Sequence, residues 1–70
     1  MEMIPMRHSK ALEEMGYDLE DRTLRVRFRS GGLYDYLDVA PEIVEGLLGS
    51  AHPWTEWGRR VLEHDVRRLG

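Results

Sequence analysis

The segment Thr23–Leu48 (TLRVRFRSGGLYDYLDVAPEIVEGLL) constrains the fold of this chain most, because its side-chain pattern changes from that of a strand to that of a helix. Apolar residues alternate with arginines over Leu24–Arg29, which predicts a strand with one buried and one wet face. Ser-Gly-Gly at 30–32 supplies residues able to take positive φ, and an extended pattern resumes over Leu33–Val39. The two runs therefore predict a β-hairpin.

Two helices are predicted after this hairpin. Pro41 occupies a first helical position, and an apolar stripe that ends at Gly49 predicts a helix over residues 41–49. Pro53 can open a second helix over 53–68, and its apolar side chains fall close to one face: Trp54, Trp57, Val61, Leu62, Val66 and Leu69. We expect the two tryptophans to anchor this helix to the sheet.

Residues 11–18 give conflicting local signals. The run ALEEM favours a helix by propensity, whereas Leu12, Met15 and Tyr17, followed by a charged turn, suit a short strand. An isolated two-stranded hairpin is marginal in water, so we predict a third strand here. The expected fold class is α+β, with a three-stranded antiparallel sheet (about 11–18, 22–29 and 33–39) and two helices (about 41–49 and 53–68) packed on one face.

Length and composition favour a binding role over catalysis. A 70-residue chain forms one domain that buries only about 60% of its unfolded surface, so an active-site cavity would compete for a small interior. We expect a loosely ordered arm over residues 1–8 and a single domain over 9–70. The chain has no cysteine, which excludes disulfides and thiolate metal sites. It has no long apolar run either, and we expect a cytoplasmic protein with no membrane contact.

Several segments of the chain together form a recognisable pattern: Ser9 with Leu12, MGYD at 15–18, LRVRF at 24–28, GGLYDY at 31–36, DVAP at 38–41, and Leu47-Leu48. These segments resemble a known family, the KTSC domain, whose hallmark is a central Tyr-x-Tyr. That family is named after the C-terminus of some lysyl-tRNA synthetases and also occurs as small bacterial proteins. The resemblance implies a domain without an established activity, for which RNA binding has been suggested. Departures from the family pattern are concentrated after Leu48.

The register of the hairpin decides the role of Tyr34 and Tyr36. An even-length connection such as Gly31-Gly32 would set both rings beside the arginines of the preceding strand, as a base-stacking platform. An odd-length connection over 30–32 would instead place Tyr34 opposite Phe28 and bring both rings into the core. The even register would also bury an unpaired Asp35, at a cost of several kcal/mol, so the odd register is favoured.

In the odd register the arginines of the first hairpin strand and Asp35 face water, and Arg27 and Asp35 form a cross-strand pair. Such exposed arginines are candidate phosphate contacts, as are the arginines of the last helix. The three histidines His8, His52 and His64 have no ligand spacing, so no metal or cofactor is expected.

We therefore predict a small non-catalytic binding module that contacts RNA or single-stranded nucleic acid through a basic sheet face. The alternative is a protein–protein interaction module, either a homodimer or the regulator of a larger partner, which the net charge of −3 and the small core favour. The residues predicted to bind nucleic acid or a partner are Arg25, Arg27, Arg29, Tyr34, Tyr36, Arg59 and Arg60.

Overall fold

The chain folds into an antiparallel sheet whose five strands lie side by side in chain order. The structure is a computed structural model that describes all residues, 1–70. Two helices follow the fourth strand and pack together on one face of the sheet. Neither helix combines the length and apolar character needed to cross a membrane. The elements are β1 (Ile4–Pro5), β2 (Leu12–Asp18), β3 (Thr23–Phe28), β4 (Leu33–Tyr36), α1 (Pro41–Gly49), α2 (Pro53–Leu62) and β5 (Val66–Arg68).

The predicted α+β class with two helices is confirmed, but the prediction of three strands is wrong. One extra strand, β1, forms within the N-terminal arm that was predicted to be loosely ordered. Ile4 pairs with Met15, Pro5 pairs with Glu14, and the buried side chain of Met6 joins the core. A strand of two residues is too short to produce an alternating pattern in the sequence, so its formation depends on the neighbouring strand.

The other extra strand, β5, occupies residues that were predicted to continue the second helix to position 68. The helix ends at Leu62, and the His64 ring Nδ1 lies 2.8 Å from the carbonyl oxygen of Arg60. The chain then returns to the sheet, where Val66 pairs with Tyr36. Pairing with β5 gives hydrogen-bond partners to the backbone groups along the outer edge of β4. The free energy of this pairing outweighs the preference for helix that the spacing of Val66 and Leu69 indicated.

The β3–β4 register confirms the odd parity and turns both tyrosines toward the helices. Val26 lies opposite Tyr34, so the pairing is shifted by two residues from the prediction that Phe28 would face that ring. The turn begins one residue earlier than expected, because the N–H of Gly31 donates to the Phe28 carbonyl oxygen. Both turn glycines have positive φ, and a Cβ on Gly32 would lie 2.7 Å from the Tyr34 ring.

We call the sheet face opposite the two helices the open face. It carries one carboxylate that neighbouring side chains cover almost completely. Asp35 is 2% exposed and accepts two hydrogen bonds from Arg25, at 2.8 Å (Nε to Oδ1) and 3.0 Å (Nη2 to Oδ2). The Arg67 guanidinium of β5 lies 3.9 Å from Asp35 Oδ2. The predicted Arg27–Asp35 pair and the predicted water-facing Asp35 are therefore wrong, because the two-residue shift in register places Arg25 opposite this carboxylate.

The core lies between the sheet and the two helices. It contains ten buried apolar side chains: Met6, Leu12, Met15, Leu24, Val26, Tyr36, Val39, Val44, Leu47 and Val61. The helices meet where the Trp57 indole lies against Gly46, so closely that a Cβ at position 46 would overlap the ring. Trp54 packs edge-on against Phe28 with ring centroids 5.2 Å apart. Both tryptophans thus contact the hydrophobic core.

Replacing Gly46 with alanine is expected to lower the free energy of unfolding by about 2 kcal/mol, because the added methyl group would force Trp57 away from α1. The matched control is Gly49→Ala at the end of the same helix, where a Cβ would meet no atom within 4 Å. Alanine has the higher helix propensity, so this control should be neutral or stabilising. Urea unfolding measures both changes, and equal effects would contradict the packing argument.

Arg25→Met should lower the free energy of unfolding by about 3 kcal/mol, because it leaves the buried carboxylate of Asp35 without its bidentate partner. The same replacement at Arg27, whose side chain is 43% exposed, should cost only about 0.5 kcal/mol. The double variant R25M/D35N leaves no charge buried at this point and should recover part of the loss. Urea unfolding tests the series, and similar losses for R25M and R27M would refute the assignment.

Candidate nucleic-acid interface

Two arginines of the predicted interface are engaged within the open sheet face. Arg25 holds the buried Asp35, and this hydrogen bonding raises the pKa of Arg25 above its usual value. Arg27 Nε lies 3.3 Å from Glu14 Oε1 and 3.9 Å from Glu13 Oε2. Each guanidinium therefore already has a carboxylate partner that offsets its positive charge.

Arg29 lies just past the end of β3, and its side chain is used to hold the N-terminal segment. Its Nε donates to the carbonyl oxygen of Ser9 and its Nη2 to that of Met6, both at 2.9 Å. Its backbone N–H donates to the carbonyl oxygen of Ala11, also at 2.9 Å. These contacts give Arg29 a structural role, so the three arginines do not present a row of free cations.

The tyrosines of the Tyr-x-Tyr motif belong to the core side of the sheet. Tyr36 is 4% exposed, and burial, with a smaller contribution from Tyr34, raises its pKa. The half-buried Tyr34 ring meets the edge of Phe28 at a centroid distance of 5.6 Å. Burial also raises the pKa of Tyr17, whose hydroxyl donates to the Val39 carbonyl oxygen at 2.5 Å. Neither motif ring is free to stack on a base.

Two exposed arginines lie against aromatic rings. The Arg60 guanidinium is 5.0 Å from the centre of the Trp57 ring, which also lies against Gly46. The Arg68 guanidinium is 5.5 Å from the centre of the Tyr34 ring. Both distances are within the range of a cation–π interaction.

The positive charge of the chain is concentrated at its C-terminal end. Residues 59–70 carry four arginines against two carboxylates, a net charge of +2, whereas residues 1–58 carry six basic against eleven acidic residues, a net charge of −5. All four arginines are exposed. We call this group the C-terminal arginines: Arg59 and Arg60 on α2, and Arg67 and Arg68 on β5.

A cleft that the sequence did not predict opens between the β1–β2 loop and the start of α2. Its volume is about 320 Å³, and it is lined by residues 8–11 and 52–55. The two walls are some forty residues apart in the chain, and no local pattern connects them. Neither in this cleft nor in the rest of the chain is a group of three or more His, Asp or Glu side chains placed to hold a metal ion.

Comparison with known proteins identifies the family. Residues 8–55, which include both walls of the cleft and end before Arg59, match the KTSC domain. An uncharacterised protein of Stutzerimonas stutzeri is 50% identical over 40 residues, which are 57% of this chain and 56% of that protein. A protein of Tsukamurella paurometabola is 40% identical over 42 residues, which are 60% of this chain and 63% of that protein. The chain thus spans less than two thirds of these relatives.

The fold has a counterpart among solved structures. The crystal structure of a KTSC domain protein from Yersinia pestis superposes with a TM-score of 0.78. The superposition covers 99% of this chain and 97% of that one, at 23% sequence identity. The same fold is therefore present in both proteins. With the match over residues 8–55, these observations show that the chain belongs to the KTSC domain family.

Proposed function

We propose that this protein is a non-catalytic module that binds RNA or single-stranded nucleic acid through the C-terminal arginines. The observation that carries the proposal is their concentration: four exposed arginines within twelve residues of net charge +2, on a protein that is otherwise acidic. Phosphate contacts supply most of the affinity of sequence-independent nucleic-acid binding, and exposed guanidinium groups are suited to make them.

The β3 arginines are less suitable for this role than sequence reasoning indicated. For Arg25 to bind a phosphate it would have to leave Asp35, which is buried and would lose its bidentate partner. Breaking a buried pair in this way costs several kcal/mol, more than one phosphate contact returns. Among the C-terminal arginines the closest ion pair is the 3.9 Å contact of Arg67 with Asp35. This difference moves the proposed interface from the centre of the sheet to α2 and β5.

The ring contacts of Arg60 and Arg68 support binding to unpaired bases. Each guanidinium lies over an aromatic ring, at 5.0 Å from Trp57 and 5.5 Å from Tyr34, and both arginines are exposed. An exposed guanidinium can receive a nucleic-acid base, and planar stacking on arginine is one way in which proteins hold splayed bases. Single strands offer such bases, whereas duplexes do not.

A second candidate function, protein–protein interaction, is favoured by the outer edge of β5. The pairing of β5 with β4 uses backbone groups of Asp65 and Leu69, so by the antiparallel alternation those of Val66 and Arg68 point outward. Exposed apolar side chains lie on this strand and directly after it, namely Val66 at 49% and Leu69 at 45% exposure. An unpaired edge of this kind can accept a strand from another protein chain.

Fluorescence anisotropy with a mixed-sequence single-stranded RNA bearing a 5′-hydroxyl end tests the first function. We expect saturable binding at low salt and about tenfold weaker binding for R59Q/R60Q, because two phosphate contacts are removed. The matched control is R7Q/R22Q, which removes two exposed arginines outside the C-terminal segment and should bind within about twofold of the wild type. With at most four phosphate contacts, a plot of the logarithm of the association constant against the logarithm of the salt concentration should have a slope no steeper than about −3.

Two outcomes would refute this assignment. The first is the absence of saturable binding at low salt. The second is an equal loss of affinity in R59Q/R60Q and R7Q/R22Q, which would mean that only the total charge matters.

Sedimentation equilibrium on the same samples tests self-association at β5, and a monomer at every concentration would exclude a homodimer.

A further inference from the structure

The cleft between the β1–β2 loop and α2 is the largest cavity of the protein, at about 320 Å³. That volume lies at the lower end of the range of small-molecule sites, about 300 to 1,000 Å³. Its lining differs from the rest of the surface in having no carboxylate, although thirteen of the 70 residues are acidic. The lining residues are His8, Ser9, Lys10, Ala11, His52, Pro53, Trp54 and Thr55.

Both walls of the cleft are held in place by contacts with the core. On one side Ser9 Oγ accepts the N–H of Leu12 at 2.9 Å, and Arg29 holds the Ser9 carbonyl oxygen at 2.9 Å. On the other side the Trp54 ring packs edge-on against Phe28 at 5.2 Å. A ligand would therefore meet a formed site and would not have to order a loop.

The polar groups of the cleft are suited to an anion. Lys10 supplies an ammonium group that makes no ion pair within the protein, and His8 and His52 supply two imidazole rings. Ser9 is 6% exposed, its Oγ accepts two backbone N–H groups, and no hydrogen bond within the protein uses its hydroxyl proton. These donors come from both walls of the cleft, and a group with several acceptor oxygens, such as a phosphate, can accept hydrogen bonds from them.

The indole of Trp54 adds a flat apolar surface to the same cleft. An ammonium group, two imidazoles and an aromatic ring together match a ligand that joins a phosphate to a planar ring. We propose that the cleft binds the phosphate of a nucleoside monophosphate, with its base against Trp54. The same chemistry occurs in a free mononucleotide and at the 5′-phosphorylated end of an RNA strand, and only the second source rests on the proposed function.

The probe is adenosine 5′-monophosphate, followed by calorimetry and by the two indole N–H signals in NMR spectra. W54F assigns these signals. We expect saturable binding that shifts the Trp54 signal and leaves the Trp57 signal in place. The variant K10Q/H52Q should bind about tenfold more weakly, because it replaces the ammonium charge of Lys10 and the imidazole of His52 with uncharged amide groups, which hold a phosphate less strongly. The control R59Q/R60Q, which alters the proposed RNA interface away from the cleft, should bind within about twofold of the wild type. Adenosine without a phosphate should not bind measurably.

Parallel titrations with 5′-phosphorylated and 5′-hydroxyl RNA of one sequence distinguish the two sources. A preference for the phosphorylated strand that disappears in K10Q/H52Q would assign the site to an RNA end. Binding of the mononucleotide without such a preference would assign it to a free nucleotide. The proposal would be overturned if millimolar mononucleotide showed no saturable binding and the protein did not distinguish the two RNA strands. It would also be overturned if K10Q/H52Q and R59Q/R60Q lost the same amount of affinity for the mononucleotide. Failure of the C-terminal arginines to bind RNA would leave the mononucleotide result unaffected.

Discussion

The pairing of Arg25 with Asp35 is the interaction on which the rest of the sheet depends. A carboxylate with 2% exposure is tolerated only where it is fully hydrogen-bonded, and the observed β3–β4 register sets the Arg25 guanidinium directly opposite it. That register turns Tyr34 and Tyr36 toward the helices, where they become part of the hydrophobic packing. Arg67 approaches the same carboxylate from β5, so a single acidic side chain connects three neighbouring strands.

This use of charge within the fold changes how the arginines of the chain are interpreted. An alternating row such as Arg25, Arg27 and Arg29 has the appearance of a phosphate-binding surface when it is considered alone. In the structure one member neutralises a buried carboxylate, one pairs with glutamates on β2, and one holds backbone carbonyls of the N-terminal segment. The arginines that remain available to a partner are those that the core does not require.

Sequence reasoning was most reliable where a pattern is local and repeats several times. The alternation of β3, the glycine turn and the proline-initiated α1 predicted the hairpin and the first helix closely, and the cost of burying an unpaired Asp35 predicted the parity of the register. The two-residue shift was missed because the turn can begin at either of two positions around Gly31 and Gly32. The strands β1 and β5 were missed because two or three residues cannot show a period. The cleft between residues 8–11 and 52–55 was missed because it exists only after distant segments meet.

The connection of β5 to the sheet also has a consequence for motion. Strands β1 to β4 are joined by short links, whereas β5 reaches β4 only after two helices, has three exposed residues and contacts the sheet along one edge. Elements of this kind open at a lower free energy than the core, so the amide hydrogens of β5 should exchange with solvent before those of β3. When β5 detaches, Asp35 keeps Arg25 and loses the more distant Arg67, so strands β1 to β4 can persist without it. Arg67 and Arg68 thus lie on a peripheral strand that can move toward a partner while the rest of the fold stays intact.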